Sequence, residues 1–243
     1  MRCICIPSNK IIPVSRPQNP KKRKNAKRIS VRIAFHLSGR CRTVCLPGGN
    51  SLWYTDKRKT IDLTEVHPVT ALEAIFQRRC YRGKYKPVPV PREHLRIILE
   101  AGLAAPSGCN LQTTSLIAVD DPALLNQLQA LSHSPAVKTA PALIFVLTRR
   151  VIAYEDKCFA VQDYAAAIEN MLLALTELGY RSCWYEGHVT GPNRLGYRMA
   201  QLLSVPDEYE LVCMLPVGVA EDAVPAPEKK PFEQRACFNG FSL

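Results

Sequence analysis

The first sixty residues almost lack acid. They hold 15 Lys/Arg against a single carboxylate, Asp56, and so carry +14, whereas residues 61–243 hold 17 Lys/Arg against 20 acids and carry −3. The overall +11 is thus a property of the N-terminal quarter, attached to an ordinary, slightly acidic chain. Other absences narrow the field. No uninterrupted apolar stretch is long enough to span a bilayer or to form the apolar region of a secretory signal. No G-x-G-x-x-G occurs, which disfavours a Rossmann dinucleotide domain. No pair among the 10 cysteines has C-x-x-C spacing. Cys3-x-Cys5 and Cys41-x-x-x-Cys45 have no nearby His pair to complete a zinc site. Cys80, Cys109, Cys158, Cys183, Cys213 and Cys237 are scattered without the spacing of a secreted scaffold, so no metal and reduced thiols in a cytoplasmic protein are expected. No internal repeat is present.

What is present divides at about residue 60. Residues 1–60 have four prolines before position 21, the run Lys21–Arg28 (KKRKNAKR), and no sustained apolar period beyond Ile29–Leu37. Such a segment buries too little to offset its ordering entropy, which predicts a basic, disordered extension. Its composition is compatible with a mitochondrial-type presequence, although the prolines oppose an amphipathic helix; a start of translation near Thr60 would leave it unmade. Basic runs of this kind are usually solvated, so nucleic acid and membrane are not expected partners. Residues 61–243 form the second unit, and with 47% apolar residues in the chain a real core can be buried.

Within that unit the periodicities alternate. Val69, Leu72, Ile75 and Phe76 recur at spacings of three and four, which predicts one buried helix face, begun by a Thr70–Glu73 capping box. Lys86–Pro91 is an extended connector, and Pro91 opens a helix whose predicted buried face is Leu95, Ile98, Leu99 and Leu103. Thr113–Val119 reads as a strand, Asp121–Leu131 as a short helix, and Ala142–Thr148 as a strand covered on both faces. Phe159–Leu178 is the longest helical pattern, apolar around most of its circumference and closed by Gly179. Arg181–Tyr185 reads as a strand, Asn193–Leu203 as a helix and Glu210–Val219 as a strand; after Glu221 prolines and charges leave no period. These elements predict a single α+β or α/β sandwich around a central sheet.

The chemistry concentrates between Gln77 and Gln112. Arg78, Arg79 and Arg82 follow the end of the first helix, and the next helix closes on a polar turn rich in side-chain donors. Basic residues at a helix C-terminus can simply complement its dipole. The facing turn, with Ser, Asn and Gln beside Pro and Gly, is instead of the kind that contacts ligands.

RRCYR (Arg78–Arg82), APSGCNLQ (Ala105–Gln112), the helix DYAAAIENMLLALTELG (Asp163–Gly179), YEG (Tyr185–Gly187), and LPVGVAED with KKPFE (Leu215–Glu233) occur in that order. Together they resemble the FMN-dependent nitroreductase family over roughly residues 65–240. The resemblance implies a nitroreductase-like α+β fold, a three-layer α/β/α sandwich with a central mixed sheet. It also implies a homodimer with a flavin in each of two interface sites, and ping-pong hydride transfer from NADH or NADPH through FMN to nitroaromatic, quinone or related small-molecule acceptors. Reductive dehalogenases and ene-reductases on the same fold are alternatives; so is a flavin-free binding protein whose basic tail touches nucleic acid.

Carried over position by position, the resemblance assigns Arg78 to the FMN phosphate with Lys229 as a second charge, a fitting task for an arginine fork. Arg79 and Cys80 lie in the same motif, and Arg82 occupies the position beside the ring atoms that become negative on reduction. Glu186 and Gly187 match the turn whose backbone N–H groups reach the ring. Pro106, Ser107, Asn110 and Gln112 match the loop that covers the flavin from the partner subunit. No side chain is expected to be catalytic, because the flavin carries the chemistry. Two departures stand out. Cys80 replaces the usual Ser, and a thiol is a far weaker donor than a hydroxyl. Pro227 replaces the earlier of two late cations, which predicts weaker phosphate binding.

Overall fold

The computed structural model describes residues 53–56, 59–62 and 70–241. Most of the basic extension, with Lys21–Arg28, Cys3, Cys5, Cys41 and Cys45, lies outside the described residues, as does Val69. Strands β1 (Trp53–Asp56) and β2 (Lys59–Asp62) form an antiparallel ribbon across the position-60 boundary.

The fold is α+β, built on a three-stranded sheet in the order β3 (Thr114–Val119), β4 (Ala142–Thr148), β7 (Glu210–Val217), antiparallel throughout. All seven residues of β4 are buried, as an apolar run without alternation requires. Leu143, Phe145 and Leu147 point to one core, with Leu125, Leu128, Val137, Leu195 and Met199. Ala142, Ile144 and Val146 point to the other, with Leu95, Ile98, Ile168, Met171 and Leu175. The sheet is therefore sandwiched between helix layers. On one side lie α1 (Ala71–Gln77), α2 (Arg92–Leu103) and α5 (Ala160–Glu177); on the other lie α3 (Pro122–Ala130), α4 (Pro135–Thr139) and α6 (Leu195–Leu202).

Local signals place the helix ends. Thr70 Oγ1 accepts from the Glu73 N–H at 3.2 Å while Glu73 Oε2 accepts from the Thr70 N–H at 2.7 Å, closing the expected capping box. Gly179 follows α5 at φ +79°, a conformation that favours glycine.

Three expectations need correction. The predicted buried face of α1 is open: Leu72, Ile75 and Phe76 are 65%, 49% and 72% exposed, and only Ala74 is buried. Leu103, at the end of the α2 stripe, is exposed as well. Arg181–Tyr185 is not a regular strand but an extended segment held by separate pairings, Arg181 with Gly218 and Tyr185 with Met214. Its Ser182 pairs with Cys80, and that pairing is the parallel element of an otherwise antiparallel arrangement. Finally, β5 (Ile152–Tyr154) and β6 (Lys157–Cys158) form a small hairpin, and a 3-10 turn occupies Phe232–Gln234; both are too short to set up a period. Helix α5 has apolar residues on most sides, and seven of them are buried within one chain, while Val161 is 48% exposed.

Candidate functional site

The residues after α1 run in extended form beside the residues after α5. The Tyr81 N–H donates to the Ser182 carbonyl at 2.9 Å, and Tyr85 and Tyr81 pack edge to face below. This brings RRCYR against the strand-like segment that leads into Tyr185, Glu186 and Gly187, although the two stretches are a hundred residues apart in the chain.

The three arginines part company there. Arg78, half-buried, places Nε 3.2 Å from Glu169 of α5 and Nη1 4.0 Å from Cys80 Sγ. Arg79 turns back onto its own helix, donating to the Phe76 carbonyl at 2.6 Å and the Arg78 carbonyl at 2.8 Å. It thus satisfies carbonyls that a helix end leaves bare, which is the modest role any basic residue at a C-terminus can take. Arg82 is exposed and has no carboxylate partner among the described residues.

The Glu186 turn is held from both sides. Tyr164 Oη donates to Glu186 Oε1 at 2.7 Å, and Trp184 Nε1 donates to Oε2 at 2.8 Å. Burial first, and then the bond to Glu186, push the Tyr164 hydroxyl well above the usual tyrosine range, so it remains a donor. With its carboxylate fixed, Glu186 lends its carbonyl to the Val189 and Thr190 N–H groups at 2.9 and 2.8 Å. Gly187, next in the turn, faces open space: a Cβ there would meet nothing within 4 Å.

Loop 105–112 is anchored through the same helix. Asp163, 4% exposed, accepts from the Gly108 N–H at 2.8 Å and from Thr113 Oγ1 at 2.7 Å, so this buried carboxylate is fully partnered. Ser107 Oγ accepts from the Gln112 N–H at 3.0 Å. Cys109, Asn110 and Gln112 all have φ near +50°, unusual for residues with a Cβ and characteristic of loops held for a purpose. Pro106, Asn110 and Gln112 present themselves to solvent.

Adjacent residues of α5, Asp163 and Tyr164, therefore hold the loop and the turn respectively. Neither was singled out from the sequence, nor were Glu169 and Trp184. One signal was available: an acid inside an otherwise apolar helical run must find donors or leave a charge buried. Lys229 stands exposed on the extended tail, and no described hydrogen bond or ion pair ties it to Arg78.

Comparison with known proteins bears on what such an arrangement is for. The Nitroreductase family matches residues 75–136 and 128–219, more than half of the chain. The chain belongs to the nitroreductase family. An Archaeoglobus fulgidus protein, provisionally named NADH dehydrogenase/NAD(P)H nitroreductase, is 29% identical over 169 residues, covering 69% of this chain and 92% of its own. A Staphylococcus haemolyticus NADPH-dependent oxidoreductase is 29% identical, over 62% of this chain and 66% of its own. Among solved structures, an FMN-dependent nitroreductase from Clostridium difficile R20291 superposes with a TM-score of 0.59 at 28% identity, over 70% of this chain and 99% of that one. The family match lies wholly beyond residue 60 and so leaves the basic extension aside. No helix among the described residues is long and apolar enough to cross a membrane.

Proposed function

We propose that this nitroreductase-family chain is an FMN-dependent oxidoreductase. It would take hydride from NADH or NADPH and pass it, in ping-pong order, to nitroaromatic, quinone or related acceptors, and it would act as a homodimer in the cytoplasm. The observation that supports this best is the Cys80–Ser182 pairing, which sets the arginine motif beside the Glu186–Gly187 turn.

The residues suit the cofactor. An exposed Arg82, with no acidic partner among the described residues, and a half-buried Arg78 offer fixed positive charge, and Gly187 offers bare backbone to a flat ligand. When bound, FMN supplies the redox chemistry by accepting and returning two electrons as a hydride. The chain positions and biases it. Arg78 and Lys229 would hold the phosphate, and Arg82 would stabilise negative charge on the reduced ring. The backbone at Gly187 would fix the ring's polar edge, with Tyr164 and Trp184 keeping the Glu186 turn in place. Cys80 and Arg79 belong to the same motif, with Arg79 acting through the helix end it caps. Pro106, Ser107, Asn110 and Gln112 would cover the ring from the partner subunit, and the open face of α1 suits a second copy.

The absorption spectrum of the purified full chain, with the released cofactor identified by mass, tests the reading. A protein that is colourless and takes up no FMN would sink it. Shared sites are tested by co-refolding two inactive variants, Arg78→Ala and Ser107→Trp. If each site draws Arg78 from one chain and Ser107 from the other, random pairing restores roughly a quarter of the activity. A mixture as inactive as its components would show that each site is built from one chain.

A further inference from the structure

A cavity of about 430 Å³ opens where the ends of α1 and α5 meet the segment that follows β7. Gln77 and Arg79 line one side, Gly179 and Arg181 another, and residues between 219 and 226 form the third wall. Its volume is that of a small-molecule site. Backbone hydrogen bonds fix the walls: the Arg181 N–H donates to the Gly218 carbonyl at 2.9 Å, Lys86 to Val219 at 2.9 Å, and Glu221 to Lys84 at 3.0 Å. Arg79 and Arg181 are both half-buried, and both guanidinium groups are held in place. Arg79 Nη1 donates to the carbonyls of Phe76 and Arg78, and Arg181 Nη1 to that of Tyr180 at 2.9 Å. Neither forms an ion pair with a carboxylate among the described residues. Two fixed cations facing one partly buried space repel each other, and groups so placed are ordinarily paired. An anion between them removes both costs.

We propose that this cavity binds a small organic monocarboxylate, with the carboxylate between Arg79 and Arg181 and a short apolar body against Val219, Ala223, Val224 and Ala226. The bonds made by Nη1 leave Nε and Nη2 of each arginine as donors, and a guanidinium edge matches a planar carboxylate with two parallel bonds. Charge sets the class of ligand. Two guanidinium groups against the single carboxylate of Asp222 give the lining a net charge of +1, which suits one negative charge. A phosphate monoester, nearly doubly charged at neutral pH, would exceed it. Gly179 keeps the floor bare, since a Cβ there would meet nothing within 4 Å. Arg78, Arg82, Glu186, Gly187 and Lys229 do not line the cavity, and Arg79 is the one residue it takes from the arginine motif. The inference therefore does not depend on the flavin reading.

The test uses the full chain as purified, with hexanoate as the probe and hexanamide as its uncharged counterpart. Titration calorimetry gives the Kd for hexanoate. Arginines are then modified with phenylglyoxal in the presence of either compound, and the modified sites are located by peptide mass mapping. Hexanoate at about ten times its Kd should slow modification of Arg79 and Arg181 by about tenfold. Exposed Arg198 should react at its usual rate, and hexanamide should protect neither site. Arg181→Gln should weaken hexanoate binding by about tenfold or more, as loss of a charge-assisted contact does, with flavin content unchanged. Absence of saturable hexanoate binding would overturn the proposal. So would equal protection by hexanamide, protection of Arg78 or Arg82 in place of Arg79 and Arg181, or an unchanged Kd in a folded Arg181→Gln. The protection pattern is read on wild-type protein, so a variant that fails to fold leaves the test intact. A colourless protein would sink the flavin reading and leave this measurement as it stands.

Discussion

Helices α1 and α2 have the same kind of apolar stripe in sequence and opposite fates in the chain. In α2, Leu95 and Ile98 are buried against α5 and the sheet. In α1, Leu72, Ile75 and Phe76 face outward, and only Ala74 is covered. An amphipathic pattern says that a face has to be covered, and it does not say by which chain. The exposed stripe of α1 lies immediately before the arginine motif, so whatever covers it also stands beside the site.

The sharpest way to break this contrast is to charge the open face. Leu72→Glu with Phe76→Glu should turn the proposed dimer into monomers at micromolar concentration in sedimentation velocity, with loss of bound flavin, because an obligate interface of more than about 2,000 Å² tolerates no buried unpaired acids. A dimer that survives would place the interface elsewhere. Next in size is Ile98→Ala, which should cost about 2–5 kcal/mol in denaturant unfolding while leaving the oligomeric state untouched. If it costs no more than a surface change, α2 is not the core helix its burial indicates. Arg82→Ala tests the site beside the open face. It should lower the flavin midpoint potential by about 30–65 mV, equivalent to about 1.5–3 kcal/mol for two electrons. An unchanged potential in a variant that still holds FMN would remove Arg82 from its role.

A pH profile comes next. Because the folded chain favours the Cys80 thiolate, its alkylation rate should level off above about pH 5, whereas an ordinary thiol keeps accelerating up to about pH 8.5. A Cys80 profile that matches the ordinary one would show that the surrounding donors do not act on it. The smallest effect should come from deleting Met1–Lys59, with flavin content and turnover unchanged. A truncated protein that loses FMN would show that the extension takes part in the fold.

Much of this architecture was legible in the sequence because it follows from local chemistry. The capping box at Thr70, the strand at Ala142–Thr148, and Gly179 after α5 each follow from a few neighbouring residues. The site was legible as a set of motifs but not as an arrangement. That Asp163 and Tyr164 separately anchor the loop and the turn depends on which way two adjacent side chains of α5 point. The division between Arg78 and Arg79 depends on where the backbone leaves α1. Cys80 stands opposite Ser182, a hundred residues away, which no spacing encodes. The openness of α1 was misread for a related reason, since periodicity carries no record of which molecule completes a core.

The strand order has a consequence for the chain as it is made. β4 sits in the middle of the sheet, but one of its neighbours, β7, is among the last regular elements to be synthesised. Tyr185, at the head of the Glu186 turn, exchanges both backbone hydrogen bonds with Met214 of that late strand, each at 3.1 Å. A nascent chain that has reached α6 therefore already contains every arginine of the motif and the covering loop, yet has no edge on which to fix the turn. The apolar second edge of β4 stays unpaired until Val217 has emerged, and this is the interval in which a growing chain of this topology is most open to wrong pairing. The cofactor face is completed from the far end of the polypeptide, so a truncation shortly before Glu210 would leave nearly all the ligand-facing residues in place and no site.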